Sequence, residues 1–470
     1  MAGIGFVLRR LVQTDRLSTN LSGYAHATLA TSGPWLFACM ALIGIELMGR
    51  HSVDRDVLRR FSILVTYTFS FSLVTSSAIV LVVTRHLANS LYAKDIREVP
   101  GMLLGALCLV FGVTALVGVP LFGFIIDLAP LDRVLAFVGL MLTGGIWLVA
   151  MFMSALKSYG RISAAFGAGM AIAFTSSSLL VEHFGATGLL LGFTIGLAVI
   201  FFSLVANVLA EYPGGIVRPF GFVPACLRYW QLALVGLIYN AAMWVDKWIM
   251  WFAPGASAPA KAMLVHEAYE GAMFLSYLSI VPSMALFLVV VETRFFEAYL
   301  RFYRDIGAHA TLKEIRRNHA EIVRILMAGL RQIALLQAVI CLIGLLVAPA
   351  LVAAVGGGVE MVPILRYGLL GALFHMLLIS ALAVLAYFDL RASLLCVAVT
   401  FFALNAGLTA VSAMLGVEYH GYGYCLAALL AFALAYYLAS AQVGRLPYLT
   451  FVANNPALRG PAACGPKLSL

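Results

Sequence analysis

Few residues in this sequence combine a reactive type with a suggestive spacing, and the pair Asp246-Lys247 comes first. It sits inside the apolar run Asn240-Ala241-Ala242-Met243-Trp244-Val245-Asp246-Lys247-Trp248-Ile249-Met250-Trp251. A charge inside such a run costs about 2.5–3.5 kcal/mol on insertion scales, so its presence points to function. Adjacent residues of a helix project about 100° apart, which predicts that the two charges do not simply neutralise each other. Lys247 then shares a stripe with Asn240, Trp244 and Trp251, while Asp246 falls on the side of Tyr239 and Met243. A row of Trp with an amide and a cation would suit stacking against a sugar. The plainer reading is a Trp belt at a membrane interface, with Lys247 snorkelling outward. Glu267 and Glu270 open the next apolar run at i, i+3. They are either first-turn acids favoured by the helix dipole, or a counter-charge for Lys247 or a coupling-cation site. His375 lies in the middle of a later run, as a hydrogen-bonded core residue or as a proton relay.

Pro34, in Ser32-Gly33-Pro34-Trp35, and Pro282 interrupt two apolar runs and are hinge candidates, because proline removes a backbone donor and bends a helix. The one long polar segment, Glu292 to Arg331, places Phe295, Phe296, Tyr299, Phe302, Tyr303 and Ile306 on one helical face. Thr311-Leu312-Lys313-Glu314 reads as a capping-box start for a second helix. Arg301, Arg304, Arg316 and Arg317 on this hairpin are candidates for docking a partner; the alternative is a helix lying on anionic lipid. No P-loop, HExxH or GxSxG pattern is present. The seven Cys are scattered without metal-like spacing and read as small buried hydrophobes. No catalytic group, metal site or cofactor is therefore expected.

The elements that must position these residues follow from composition. Of 470 residues, 63% are hydrophobic and 11% charged, where a soluble domain carries about 25% charged residues. This excludes a soluble enzyme and a disulfide-stapled secreted domain, and predicts an all-α integral membrane protein. Twelve transmembrane helices are expected, at about 25–48, 61–84, 100–124, 134–156, 162–181, 185–209, 231–252, 266–291, 332–353, 364–386, 393–415 and 421–443, each near the ~20 residues that cross a bilayer. With that count, 22 Lys and Arg lie on the side of the termini and 7 on the other, with Lys247 inside a span. Both termini are expected in the cytoplasm. The net charge of +9 is thereby explained by orientation, and no nucleic-acid partner is assigned.

Three motifs recur in order. Thr84-Arg85 with Tyr92-Ala93-Lys94-Asp95-Ile96 matches Thr293-Arg294 with Tyr303-Arg304-Asp305-Ile306. Tyr159-Gly160-Arg161 matches Tyr387-Phe388-Asp389-Leu390-Arg391, and Glu182-His183-Phe184-Gly185 matches Glu418-Tyr419-His420-Gly421. This order predicts a six-plus-six duplication, with its halves related by an axis along the membrane normal; the alternative is chance similarity between membrane-exit sequences, which share Tyr, Arg and Gly. The expected organisation is an interfacial segment 1–24, a six-helix lobe 25–209, a cytoplasmic loop 210–230, a second lobe 231–443 carrying the insertion 292–331, and a tail 444–470.

Gly3-Ile4-Gly5-Phe6 with Leu8-Arg9-Arg10-Leu11, Ser32-Gly33-Pro34-Trp35, Asp246-Lys247-Trp248, and Glu292-Thr293-Arg294-Phe295 leading to Phe302-Tyr303 carry a resemblance. Over its whole length the sequence resembles the Pel exopolysaccharide transporter (PelG) family, a branch of the multidrug/oligosaccharidyl-lipid/polysaccharide exporter superfamily. The resemblance implies two six-helix lobes and movement of a hexosamine-rich polysaccharide across the bacterial inner membrane for a biofilm matrix. Implied partners are a cytosolic glycosyltransferase, a membrane-bound cyclic-di-GMP sensor and a further scaffold protein. A cation-coupled flippase or drug exporter of the same fold is the alternative. A membrane-embedded glycosyltransferase is disfavoured, because such enzymes place catalytic carboxylates on sizeable outer loops and the longest polar segment here falls on the side of the termini.

Overall fold

The computed structural model describes residues 33–34, 36–49, 54–93, 96–155 and 158–453. The interfacial segment 1–24, the last residues of the tail and Trp35 beside the hinge candidate Pro34 lie outside the described residues. Within them the chain is helical apart from one small hairpin. Ten helices are long and apolar enough to cross a membrane, and a shorter apolar helix, α1 (Leu36–Gly49), precedes them. Helices dominate for a physical reason. In hydrocarbon every backbone N–H and C=O needs an internal partner, and a helix supplies it within its own segment.

The first half comprises α2 (Arg55–Tyr92), α3 (Val99–Pro120), α4 (Pro130–Ala155) and the long α5 (Tyr159–Glu211). The last of these turns at Gly185 (φ 55°, ψ −129°), a conformation that glycine alone adopts without strain. Its two arms then pack closely: Ser177 Oγ donates to Leu189 O at 3.0 Å, and a Cβ at Gly192 would collide with the backbone of Ser177. Gly192 and Gly196 thus form the inner face of this turn. The small-residue face of Gly101 and Gly105 on α3 makes a different contact. It lies against the backbone of Val217 and Pro219, so the connecting loop rather than a helix takes that surface.

After a short helix α6 (Val223–Arg228), α7 (Trp230–Met250) leads into a hairpin of β1 (Ser257–Ala260) and β2 (Met263–Val265). There follow α8 (Glu267–Leu278), α9 (Val281–Val289), a π turn at Val290–Phe295, α10 (Phe296–Gly307) and α11 (Leu312–Ala354). Pro282 stands in the first turn of α9, at the break that separates it from α8. α11 begins with the predicted capping box, in which Thr311 and Glu314 satisfy each other's backbone N–H. α12 (Met361–Tyr387), α13 (Arg391–Leu415) and α14 (Tyr422–Gly444) complete the second half. Gly421 before α14 has φ 95°, so the glycines of the third repeated motif, 185 and 421, both take left-handed backbone.

Two large apolar cores result. One joins residues from Ala38 to Phe222, the other residues from Ala242 to Ala439. Trp251, Met263 and Val265 follow α7 in the chain yet pack into the first core. Two cysteines depart from expectation. Cys108 and Cys396 are exposed on the outer faces of their helices, as apolar groups facing lipid would be, whereas Cys39 and Cys341 are buried.

Candidate functional site

The two cores meet along α2 and α7, and the seam between these helices is built from aromatic and hydroxyl side chains. Tyr67 stacks on Trp251, ring centroids 4.4 Å apart and planes 4° apart, and Phe71 stacks on Trp248 at 5.6 Å and 12°. Trp248 Nε1 donates to Ser70 Oγ at 3.0 Å, and on the neighbouring face Trp147 Nε1 donates to Ser72 Oγ at 3.2 Å. Ser70, Ser72 and Ser76 are fully buried. A buried hydroxyl without a partner is costly, so this run of serines and rings fixes how α2 meets its neighbours.

Asp246 and Lys247 lie behind the seam, inside the second half. Here the expectation from helix geometry fails. Lys247 Nζ contacts both carboxylate oxygens of Asp246, at 3.2 and 3.0 Å, and the two side chains are 7% and 0% exposed. The backbone directions of adjacent residues do diverge, but the four-carbon stem of lysine folds back far enough to close the gap. The ammonium also donates to Met243 O at 3.0 Å and lies over the rings of Tyr277 and Trp244, at 4.9 and 5.6 Å from their centroids. Tyr269 OH donates to Asp246 Oδ2 at 2.9 Å. Both charges are buried, paired and hydrogen-bonded, which is the form in which charge is tolerated in a low-dielectric interior. Lys247 therefore does not snorkel to an interface.

The other candidate residues fall into place around this pair. Asn240 donates to Gly236 O of its own helix at 2.9 Å. Glu270 accepts from Trp251 Nε1 at 2.6 Å, which ties α8 to the seam. Glu267 forms an ion pair with Arg59 of α2 at the exposed rim, so the counter-charge of Lys247 is Asp246 and not this residue. His375 is fully buried, its Nε2 3.0 Å from Tyr239 OH and its Nδ1 3.0 Å from Tyr424 OH. That is the hydrogen-bonded core arrangement. Arg304 pairs with its neighbour Asp305, Arg316 and Arg317 are exposed, and Arg301 lines a polar cavity of about 320 Å³ between α10 and α11 together with Arg294, Arg324, Glu297 and Glu321. Among the described residues no group of three or more His, Cys, Asp or Glu could hold a metal ion.

Both ends of the seam are fastened through α2. At one end Arg59 binds Glu267 and donates to Ser257 Oγ at 2.5 Å, and Arg60 reaches Pro259 O at 3.5 Å. Tyr67 OH both donates to Leu264 O at 2.9 Å and accepts from Leu264 N at 3.1 Å. The hairpin is thereby strapped onto the first half. Its neighbour His266 caps α8 by accepting from Tyr269 N at 3.3 Å. At the other end Arg85 pairs with Asp389 at 3.3 Å, and Asn89 Nδ2 donates to Tyr229 OH at 2.9 Å.

Tyr67, Ser70, Phe71 and Tyr269 were missed from the sequence. A signal existed for α2: Thr68, Ser70, Ser72 and Ser76 recur within one apolar run, and polar side chains at such positions face protein rather than lipid. Tyr269 has no comparable signal, because its partner Asp246 stands 23 residues earlier on another helix.

Comparison with known proteins gives a concordant picture. The PelG family, described as exopolysaccharide exporter (EPS-E), matches residues 1–451. No curated protein matches the sequence. Among solved structures, a MOP superfamily transporter from Pyrococcus furiosus is similar with TM-score 0.64 and 12% identity, over 95% of this chain and 97% of that one. An outward-facing multidrug resistance MATE family transporter of the MOP superfamily is similar with TM-score 0.62 and 13% identity, over 95% and 99%. At these identities the likeness concerns the fold.

Proposed function

Because the chain belongs to the PelG family of exopolysaccharide exporters, we propose that it carries a hexosamine-rich, Pel-type polysaccharide from the cytoplasm across the bacterial inner membrane for a biofilm matrix. The family and the MOP-superfamily fold make it a multi-pass membrane transporter with a polysaccharide substrate. The observation that supports the finer reading is the seam: stacked rings from α2 and from the end of α7 meet beside a buried ion pair, at the boundary that must part if a polymer is to pass between the halves. Sugar rings present C–H faces that stack on aromatic planes, so opening this seam would expose a surface suited to a glycan.

In this reading α1, the two arms of α5 and the remaining long helices make twelve crossings, arranged as two six-helix lobes with both termini cytoplasmic. The left-handed glycines at 185 and 421 support the repeat. The α10–α11 hairpin is then cytoplasmic and would receive the glycosyltransferase and the cyclic-di-GMP-sensing membrane protein that the family implies, with Arg301, Arg304, Arg316 and Arg317 at the contact. A periplasm-dependent reporter fused after Gly307 is expected to stay inactive, and an active fusion would overturn the topology and the charge count behind it. The function is tested in cells making the polymer. Loss of this chain is expected to leave polymer inside the cytoplasm and none outside, while unchanged secretion would contradict the proposal.

A further inference from the structure

We infer that the α10–α11 hairpin works the latch between Arg85 and Asp389, so that what bears on the hairpin decides when the two halves can part at that end. This rests on the transporter reading above, in which the halves separate. The path is short and physical. Phe295 lies edge-on to Tyr387 at 5.0 Å and to Phe388 at 6.2 Å, and Tyr299 touches the same two rings at 6.1 and 5.9 Å. Tyr387 ends α12, Phe388 follows, and the next residue is Asp389. Its φ of 53° is a left-handed value that residues other than glycine seldom take, so its contacts hold it there.

Those contacts are the latch. Arg391 grips the Asp389 carboxylate with two bonds, at 2.9 and 2.6 Å, and Arg85 reaches it from α2 at 3.3 Å. The Arg391 guanidinium also lies 4.7 Å over the ring of Tyr229, whose hydroxyl receives Asn89 of α2. Both polar ties of α2 at this end therefore land on one cluster. That cluster follows directly in the chain from the two rings on which the hairpin rests. Arg85 is the weak member: its bond is the longest in the cluster, and its Nε is buried without a partner. A small displacement of the rings moves the Asp389 carboxylate and breaks this contact first. Packed aromatic contacts transmit such displacements because they have few alternative arrangements. Arg301 of α10 and Arg294 of the π turn before it line the polar cavity, so a partner seated there presses on the segment that holds the rings without touching the latch.

The test uses the full chain in nanodiscs, with its native cysteines replaced and nitroxide labels at Tyr92→Cys and Ala392→Cys, one on each side of the latch. The inter-label distance is read by pulsed electron resonance. The parent protein is expected to give one short-distance population. Asp389→Asn should add a longer-distance population, and Tyr299→Ala should add the same population. Phe295→Leu should act in the same direction and carries the comparison if Tyr299→Ala fails to insert. Leu300→Ala, an exposed position on the same helix, should leave the distances unchanged. If Asp389→Asn shifts the distance and neither ring variant does, the hairpin is not coupled to the latch. If Asp389→Asn has no effect, there is no latch. If Leu300→Ala matches the ring variants, the effect is general loosening and the coupling is overturned. Polymer export is measured separately, so the exporter reading can fail while these distances behave as expected.

Discussion

Lys247→Met is expected to remove most of the protein from the membrane, because it strands the Asp246 carboxylate in a fully buried site. Breaking one side of a buried ion pair costs about 3–5 kcal/mol, a large share of the stability of most folds. The Asp246 side chain is fully buried and, among the described residues, receives only Tyr269 OH besides the ammonium. Asp246→Asn should be milder. The amide still accepts from Tyr269, and the ammonium keeps the Met243 carbonyl and the faces of Tyr277 and Trp244. The double variant Asp246→Asn/Lys247→Met should restore abundance, since neither charge is then left alone. Immunoblotting of membranes, with thermal unfolding of the purified variants, measures this. A Lys247→Met protein of normal abundance and stability would show that the pair is not closed. If the double variant is abundant but exports nothing, the pair serves transport; if it exports normally, the pair serves folding.

Trp251→Ala should be nearly as damaging, for a different reason. The indole stacks on Tyr67, and its N–H supplies Glu270 with a hydrogen bond at 2.6 Å. Removing a buried aromatic of this size costs about 3–5 kcal/mol. The loss here also frees the strap end of the seam and leaves Glu270 short of a donor. Trp251→Phe keeps a ring against Tyr67 and loses only the hydrogen bond, so it should recover most of the stability. Unfolding temperatures of the three proteins, together with proteolysis within residues 257–265, give the comparison. Equal stability of Trp251→Ala and the parent would mean that this stack does not hold the halves together.

The contrast between these residues shows what a sequence can carry. The long apolar runs announced their helices, because bilayer thickness sets their length. Thr311 and Glu314 announced the start of α11 because a capping box is complete within four residues. Burial of Asp246 and Lys247 was legible from the run around them. Their mutual neutralisation was not, since it depends on how a flexible lysine stem folds back rather than on the helical repeat. The strap was invisible for another reason. Ser257–Val265 is short, holds Pro259 and shows no clear alternation, and its order comes from Arg59, Arg60 and Tyr67 about 200 residues away. That Trp251, Met263 and Val265 pack into the first core is likewise a tertiary fact, which no local pattern marks. His375 could be placed mid-helix from sequence, but its two tyrosine partners come from α7 and α14.

The most direct test of polysaccharide export is reconstitution. The purified chain is placed in liposomes with the polymer-synthesising glycosyltransferase complex outside, and labelled sugar nucleotide is supplied to that outer face. Labelled polymer protected inside the lumen, present with the parent chain and absent with the abundant Asp246→Asn/Lys247→Met variant, is the result predicted here. Polymer that forms but stays wholly outside, at the same level with and without the chain, would contradict it.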